Sequence, residues 1–161
     1  MRKLILNITI VLIFTAGALY LSLPLITNHL TTSAATLTSQ YRFQQAESLY
    51  RRAIQLEPFN FRHYLDLANF YVRTNYYQLR PDTYDLFIKA ITLNPASAEA
   101  QIGLSRLYMK MGDYLNAEIR IKRAVSLDRN NAGLHLNLCY FYRLIGDIEE
   151  NVRRLKERFY G

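Results

Sequence analysis

YRRAIQLEP, residues 50–58, closes an amphipathic helix on a proline, and the chain writes the same ending twice more. FIKAITLNP occupies 87–95 and IKRAVSLDR 121–129, with alanine, a branched residue and leucine in the same places. The endings lie 37 and then 34 residues apart. Self-similarity at that period marks supersecondary units that stack on one another, since one helical pair cannot bury its apolar face alone.

The segments before these endings align as well. Each block reads as a first helix, a turn, and a second helix with the shared close. The clearest is AEAQIGLSRLYMKMGDYLNAEIRIKRAVSLDRN, residues 98–130. Through Leu104, Ser105, Tyr108, Gly112-Asp113-Tyr114, Ala117, Ile121, Ala124 and Leu127 it resembles the tetratricopeptide repeat, although Arg129 stands where that pattern has proline. The block 61–97 matches at Leu67, Ala68, Tyr71, Phe87, Ala90, Leu93 and Pro95, with extra residues in its turn, YYQLRPD, where Pro81 suits a first helical turn. The block 132–161 matches at Leu138, Cys139, Tyr142 and Gly146-Asp147-Ile148, and the block 27–60 is degenerate in its Thr- and Ser-rich first helix. The resemblance implies an all-α, right-handed α-solenoid of about 3.5–4 helix-turn-helix units over residues 27–161. Gly112 and Gly146 are expected to end first helices, where a left-handed residue costs glycine little. Small residues such as Ala68, Ser105 and Cys139 are expected to be buried where helices approach closely.

Residues 1–26 read as a separate object. Arg2 and Lys3 precede Leu4–Ile26, an uncharged run of 23 residues, and the next charge is Arg42. As a helix the run measures roughly 34 Å, enough for a ~30 Å hydrocarbon core. The expectation is a single-pass transmembrane anchor with a cytoplasmic N-terminus and the repeats on the periplasmic side of a bacterial envelope. A cleavable signal peptide is the competing reading, with Ala16-Gly17-Ala18 as its cleavage site.

Composition narrows the chemistry. Cys139 is the only cysteine, so an internal disulfide and a Cys-based zinc site are excluded. His29, His63 and His135 fall in different units, and no phosphate loop or nucleophile elbow is present. No catalytic residue, metal or cofactor is expected. The net charge of +7 gathers partly in Arg51-Arg52, Lys122-Arg123 and Arg153-Arg154 on second helices, a face expected to meet solvent, so nucleic acid is not an expected partner.

In the repeat family the concave face is lined by set positions of each first helix. The resemblance places there Arg62, Leu65, Asn69, Val72 and Arg73, then Glu99, Ile102, Arg106, Met109 and Lys110, then Leu136, Tyr140 and Arg143. That mixture implies a protein or peptide partner of some acidic character. The carboxylate-clamp subclass is excluded by Leu65, Ile102 and Gly103 at its Lys and Asn positions. The function implied is a membrane-tethered scaffold for assembly or secretion machinery. The alternatives are a permanent accessory subunit of an integral membrane complex, or an exported protein after signal cleavage.

Overall fold

In the computed structural model the described backbone covers residues 2–74 and 82–160, with side chains outside the description at 2–14, 16, 18–20, 151–152 and 154–160. Seven helices account for it: α1 Arg2–Ser39, α2 Phe43–Leu56, α3 Phe61–Thr74, α4 Asp82–Leu93, α5 Ala98–Lys110, α6 Tyr114–Leu127 and α7 Ala132–Tyr160. Consecutive helices pack as antiparallel hairpins, α1 with α2, α3 with α4 and α5 with α6. The first helices α1, α3 and α5 also touch one another in series, so they form the inner layer of an all-α solenoid. Pro81 and its turn lie outside the described residues.

Local chemistry sets the breaks. Ser97 caps α5 by accepting from the Ala100 N–H, and Asp113 caps α6 by accepting from the Asn116 N–H. Gly112 has φ +76°, with Gly112 N–H donating to Met109 O and Asp113 N–H to Tyr108 O. Those paired bonds are a Schellman close. The turn after α1 is built identically, Tyr41 N–H to Thr38 O and Arg42 N–H to Leu37 O, but Tyr41 holds the left-handed position at φ 60°. A side chain there costs about 1–2 kcal/mol.

Packing follows the small residues. Ala34, Ala46, Ala53, Ala68, Ala90, Ala100, Ala117 and Ala124 are fully buried, and Ser105 nearly so. Phe87 of α4 fills the space between α3 and α5, and it fits because residue 103 is glycine. A Cβ there would lie 2.4 Å from Phe87 Cε1 and 3.0 Å from Asn69 Oδ1. Tyrosines tie one unit to the next. Tyr71 Oη donates to Glu47 Oε1 at 2.6 Å, and Tyr142 Oη to Glu118 Oε1 at 2.6 Å, each across 24 residues. At the intervening junction Tyr108 meets Tyr84 edge to face, ring centroids 6.2 Å apart.

Three expectations are corrected. The single-pass anchor over residues 4–26, with its cytoplasmic N-terminus and periplasmic repeats, is not retained: among the described residues no helix is long and apolar enough to cross a membrane. Most side chains of that run lie outside the description. The helix carrying it does not end with the run but continues into the polar stretch to Ser39, whose buried Thr27 and Ala34 dock on the first unit. Gly146 does not end a helix either, because α7 runs through it to Tyr160. Cys139, expected to be buried, is exposed. The two departures share one cause. With α7 straight, its second half does not fold back over the face that carries Cys139.

The two glycines therefore respond in opposite directions to alanine. Gly112→Ala is expected to destabilise by about 1–2 kcal/mol because of its positive φ. Gly146→Ala is expected to stabilise by about 0.5–1 kcal/mol as a mid-helix replacement. Urea unfolding followed by circular dichroism checks both, and a destabilised Gly146→Ala would show that α7 turns there after all.

Candidate functional site

The inner layer holds an open groove. Its larger cavity, about 720 Å³, is walled by Thr31, Thr38 and Ser39 of α1, Asp66, Asn69, Phe70 and Arg73 of α3 and Glu99 of α5, with Tyr41 and Phe43 at the α1–α2 turn. A smaller one of about 260 Å³ adjoins it and shares Thr31, Asp66 and Glu99, adding Asn28, Asn60, Arg62, His63 and Leu65. All three first helices thus contribute, as the stacking of α1, α3 and α5 dictates.

The residues assigned to the concave face are placed unevenly. Arg62, Asn69, Arg73 and Glu99 line one or both cavities, and Leu65, although 2% exposed, lies at the wall of the smaller. Val72 and Ile102 are buried and pack into the core, because the helices are rotated so that these positions face their own second helices. Arg106, Met109 and Lys110 line neither cavity, and Met109 is partly buried against the third apolar cluster. On α7, Leu136, Tyr140 and Arg143 are exposed, the Arg143 guanidinium lying 5.3 Å from the centre of the Tyr140 ring. They line neither cavity.

Asp66, His63 and the α1 hydroxyls were missed by positional reasoning. Burial raises the Asp66 carboxyl above the usual aspartate range, His63 and Arg62 opposing and Glu99 adding to the rise. His63 is 2% exposed, at a place where the later units carry the apolar Ala100 and Leu134. That break in an otherwise apolar register is the signal that could have found it. Its Nε2 lies 2.7 Å from Glu57 Oε2, which also accepts from Thr27 Oγ1 at 2.6 Å and Asn60 Nδ2 at 3.3 Å. Burial would raise the Glu57 carboxyl, but the hydrogen bonds from Thr27, His63 and Asn60 outweigh it and hold the group below the usual glutamate range. An ionised carboxylate can only accept, so the contact is an N–H···O bond from His63 Nε2.

Arg51, Arg52, Lys122, Arg123 and Arg153 are exposed, as expected of the outer layer, but some of them are also paired. Arg51 donates to Glu47 at 2.8 Å, to Tyr71 Oη at 2.8 Å and to Asp82 at 3.1 Å, joining α2, α3 and α4. Lys122 pairs with Glu118 at 2.7 Å, the same carboxylate that receives Tyr142. Two of the six residues of that basic signature, Arg51 and Lys122, thus take part in junctions between units.

Comparison with known proteins agrees with this architecture. A family model described as the tetratricopeptide repeat matches residues 98–131, the unit whose residues carry the motif most fully. The Protein O-mannosyl-transferase TMTC3 of Mus musculus is 34% identical over 90 residues, which cover 56% of this chain and 10% of that protein. The chain spans about a tenth of the length of the curated relatives it matches. The first TPR domain of human RPAP3 superposes with a TM-score of 0.66 at 16% identity, over 79% of this chain and 98% of that one. The first TPR of Spaghetti (RPAP3), solved with the HSP90 peptide SRMEEVD, gives 0.63 at 16% identity, over 75% and 94%. At such identities the likeness establishes the fold alone. Among the described residues no group of three or more His, Cys, Asp or Glu could hold a metal ion.

The Glu57 cluster makes stability depend on pH with a definite sign. Its folded-state carboxyl is depressed, so its contribution is complete above the unfolded glutamate value and is lost as pH falls through the folded one. Glu57→Gln is expected to lower stability by about 1.5–3 kcal/mol at pH 7. The gap between variant and wild type should close below about pH 4. Denaturant titrations at a series of pH values test this, and a gap independent of pH would remove the charged cluster from the account.

Proposed function

We propose that the chain is a protein-binding scaffold that takes an extended segment of a partner along the groove of α1, α3 and α5. The observation that carries this reading is the pair of adjoining cavities, walled by three first helices and bearing a charged or hydroxyl group from every unit crossed. Extended peptides are held in such grooves by hydrogen bonds to the main chain and by pockets for alternate side chains. The membrane-tethered form of this function falls with the anchor, since no described helix is long and apolar enough to cross a bilayer.

The partner's chemistry is not that of the peptide in the Spaghetti complex, whose sequence SRMEEVD is acidic at its end. Here Leu65 and Ile102 are buried, Gly103 is pressed against Phe87, and two carboxylates, Asp66 and Glu99, sit where the cavities join.

A photoreactive benzoylphenylalanine at position 69 is expected to form partner adducts in the native cell. The same group at exposed position 89, on the outer layer, should form none. Adducts from 89 alone would transfer binding to the convex face.

Tyr41 supplies a second test. It is 81% exposed at the mouth of the larger cavity and pays for a left-handed backbone that glycine would adopt freely. Tyr41→Gly is expected to raise unfolding stability by about 1 kcal/mol. The same variant should weaken, about fivefold or more, binding of the partner captured through position 69, since an aromatic contact contributes about 1 kcal/mol. Unchanged binding would leave the strain without a functional reason.

A further inference from the structure

Helix α7 has 29 residues, whereas α6, against which it packs, has 14. At about 1.5 Å per residue its first half matches the length of α6, and its second half runs on past the last unit. One apolar stripe follows the whole helix. Leu134, Leu138, Phe141 and Ile145 recur at intervals of four, three and four residues, and all four join the apolar cluster supplied by α5 and α6. The same spacing continues through Ile148, Val152, Leu155 and Phe159. The backbone is helical to Tyr160, so the spacing alone keeps these four positions on that stripe. Among the described residues the cluster takes in nothing of α7 beyond Ile145. Folding back as a fourth hairpin is disfavoured twice. Gly146 does not break the helix, and Asn151 and Arg158 stand 34 residues after Ala117 and Ala124, fully buried alanines of α6.

Charge indicates what covers the stripe instead. From 147 to 150 the helix carries Asp147, Glu149 and Glu150 and no cation. From 153 to 158 it carries Arg153, Arg154, Lys156 and Arg158 against Glu157 alone. Arg153 and Glu150 pair within the helix at 2.6 Å, an exposed contact that leaves the two blocks distinct. Two such helices running in the same direction would set acid against acid and base against base. Reversed, each acidic block faces the basic block of the other.

We propose that residues 147–160 of α7 are a self-association helix, pairing antiparallel with the same segment of a second copy. With Ile148 opposite the partner's Phe159 and Val152 opposite the partner's Leu155, the two stripes close one short coiled-coil seam. Glu149 and Lys156 flank the seam at equivalent heptad positions, and the reversed direction brings Glu149 of each copy beside the partner's Lys156. Such an interface is isologous and ends at two copies. It lies on other residues than the groove of α1, α3 and α5, so a dimer carries that groove twice.

Sedimentation equilibrium of the full chain at low salt is expected to show a monomer–dimer equilibrium. Glu149→Lys and Lys156→Glu should each raise the dimer dissociation constant about tenfold or more, since each sets like charges together on both sides of the seam. Glu149 is exposed, so its variant should keep the circular dichroism of the wild type. An equimolar mixture of the two variants should recover wild-type association, because every flanking contact in the mixed dimer again joins opposite charges; unfolded variants would not recover it. Direction is read from Val152→Cys and Leu155→Cys chains, each also carrying Cys139→Ser, which on oxidation together should give the mixed disulfide in preference to either homodimer. Preferred homodimers would mark parallel pairing and overturn the antiparallel assignment. A wild-type chain that stays monomeric at about 100 µM overturns the proposal. So does a dimer that neither charge substitution weakens, since it forms through another surface.

Discussion

Close approach of helix to helix at alanine is the constraint on which everything else in this molecule depends. Ala46 and Ala53 on α2, Ala68 on α3, Ala90 on α4, and Ala117 and Ala124 on α6 have no exposed surface. Only a methyl group at these places lets the axes come near enough for leucine, phenylalanine and tyrosine from neighbouring helices to interdigitate at the density of a protein interior. Gly103 takes the principle to its limit. There even a methyl would collide with the Phe87 ring, so α4 seats on α5 through a hydrogen atom. A larger side chain at any of these points would separate a helical pair, and with it the unit it belongs to.

Given that spacing, polar groups decide how one unit joins the next. The Tyr71–Glu47 and Tyr142–Glu118 bonds repeat with the same geometry at two junctions, each carboxylate also holding a cation four residues further on. Tyrosine suits the position because its ring fills the apolar gap while its hydroxyl reaches the rim. The middle junction replaces glutamate by Tyr84 and keeps the aromatic contact without the ion pair. The recurring basic residues Arg51 and Lys122 belong to these junctions while remaining exposed.

The groove is a consequence of the stacking and acquires its chemistry from departures from the repeat. Arg62, Asn69, Arg73 and Glu99 come from positions that any unit of this architecture turns inward. Asp66 stands where the third unit needs glycine, and His63 where later units need apolar residues. Both occur in the one unit flanked by a polar first helix, whose Thr27 reaches Glu57 and thereby completes the shell around the buried imidazole. The hydroxyl-rich face of α1, which reads as a degenerate unit by pattern, is the wall that makes such a polar pocket tolerable.

The sequence by itself determined the helix-turn-helix period, the small residues at the crossings and the left-handed Gly112. These are local or periodic facts, written in residues whose size or backbone freedom leaves one solution. Tertiary structure alone decided four others. Gly146 is compatible with either a turn or a helix, and only the course of α7 settled it and so left Cys139 uncovered. Val72 and Ile102 occupy nominal groove positions, but a small rotation of the helix, set by the partner it packs against, turned them inward. The apolar run near the N-terminus looked like an independent span, yet it belongs to a helix that continues to Ser39, and docking of the polar part on α2 depends on contacts that no window of sequence contains. Finally, His63 joined Glu57, Thr27 and Asp66 because three helices converge there, and convergence is a property of the fold rather than of spacing along the chain.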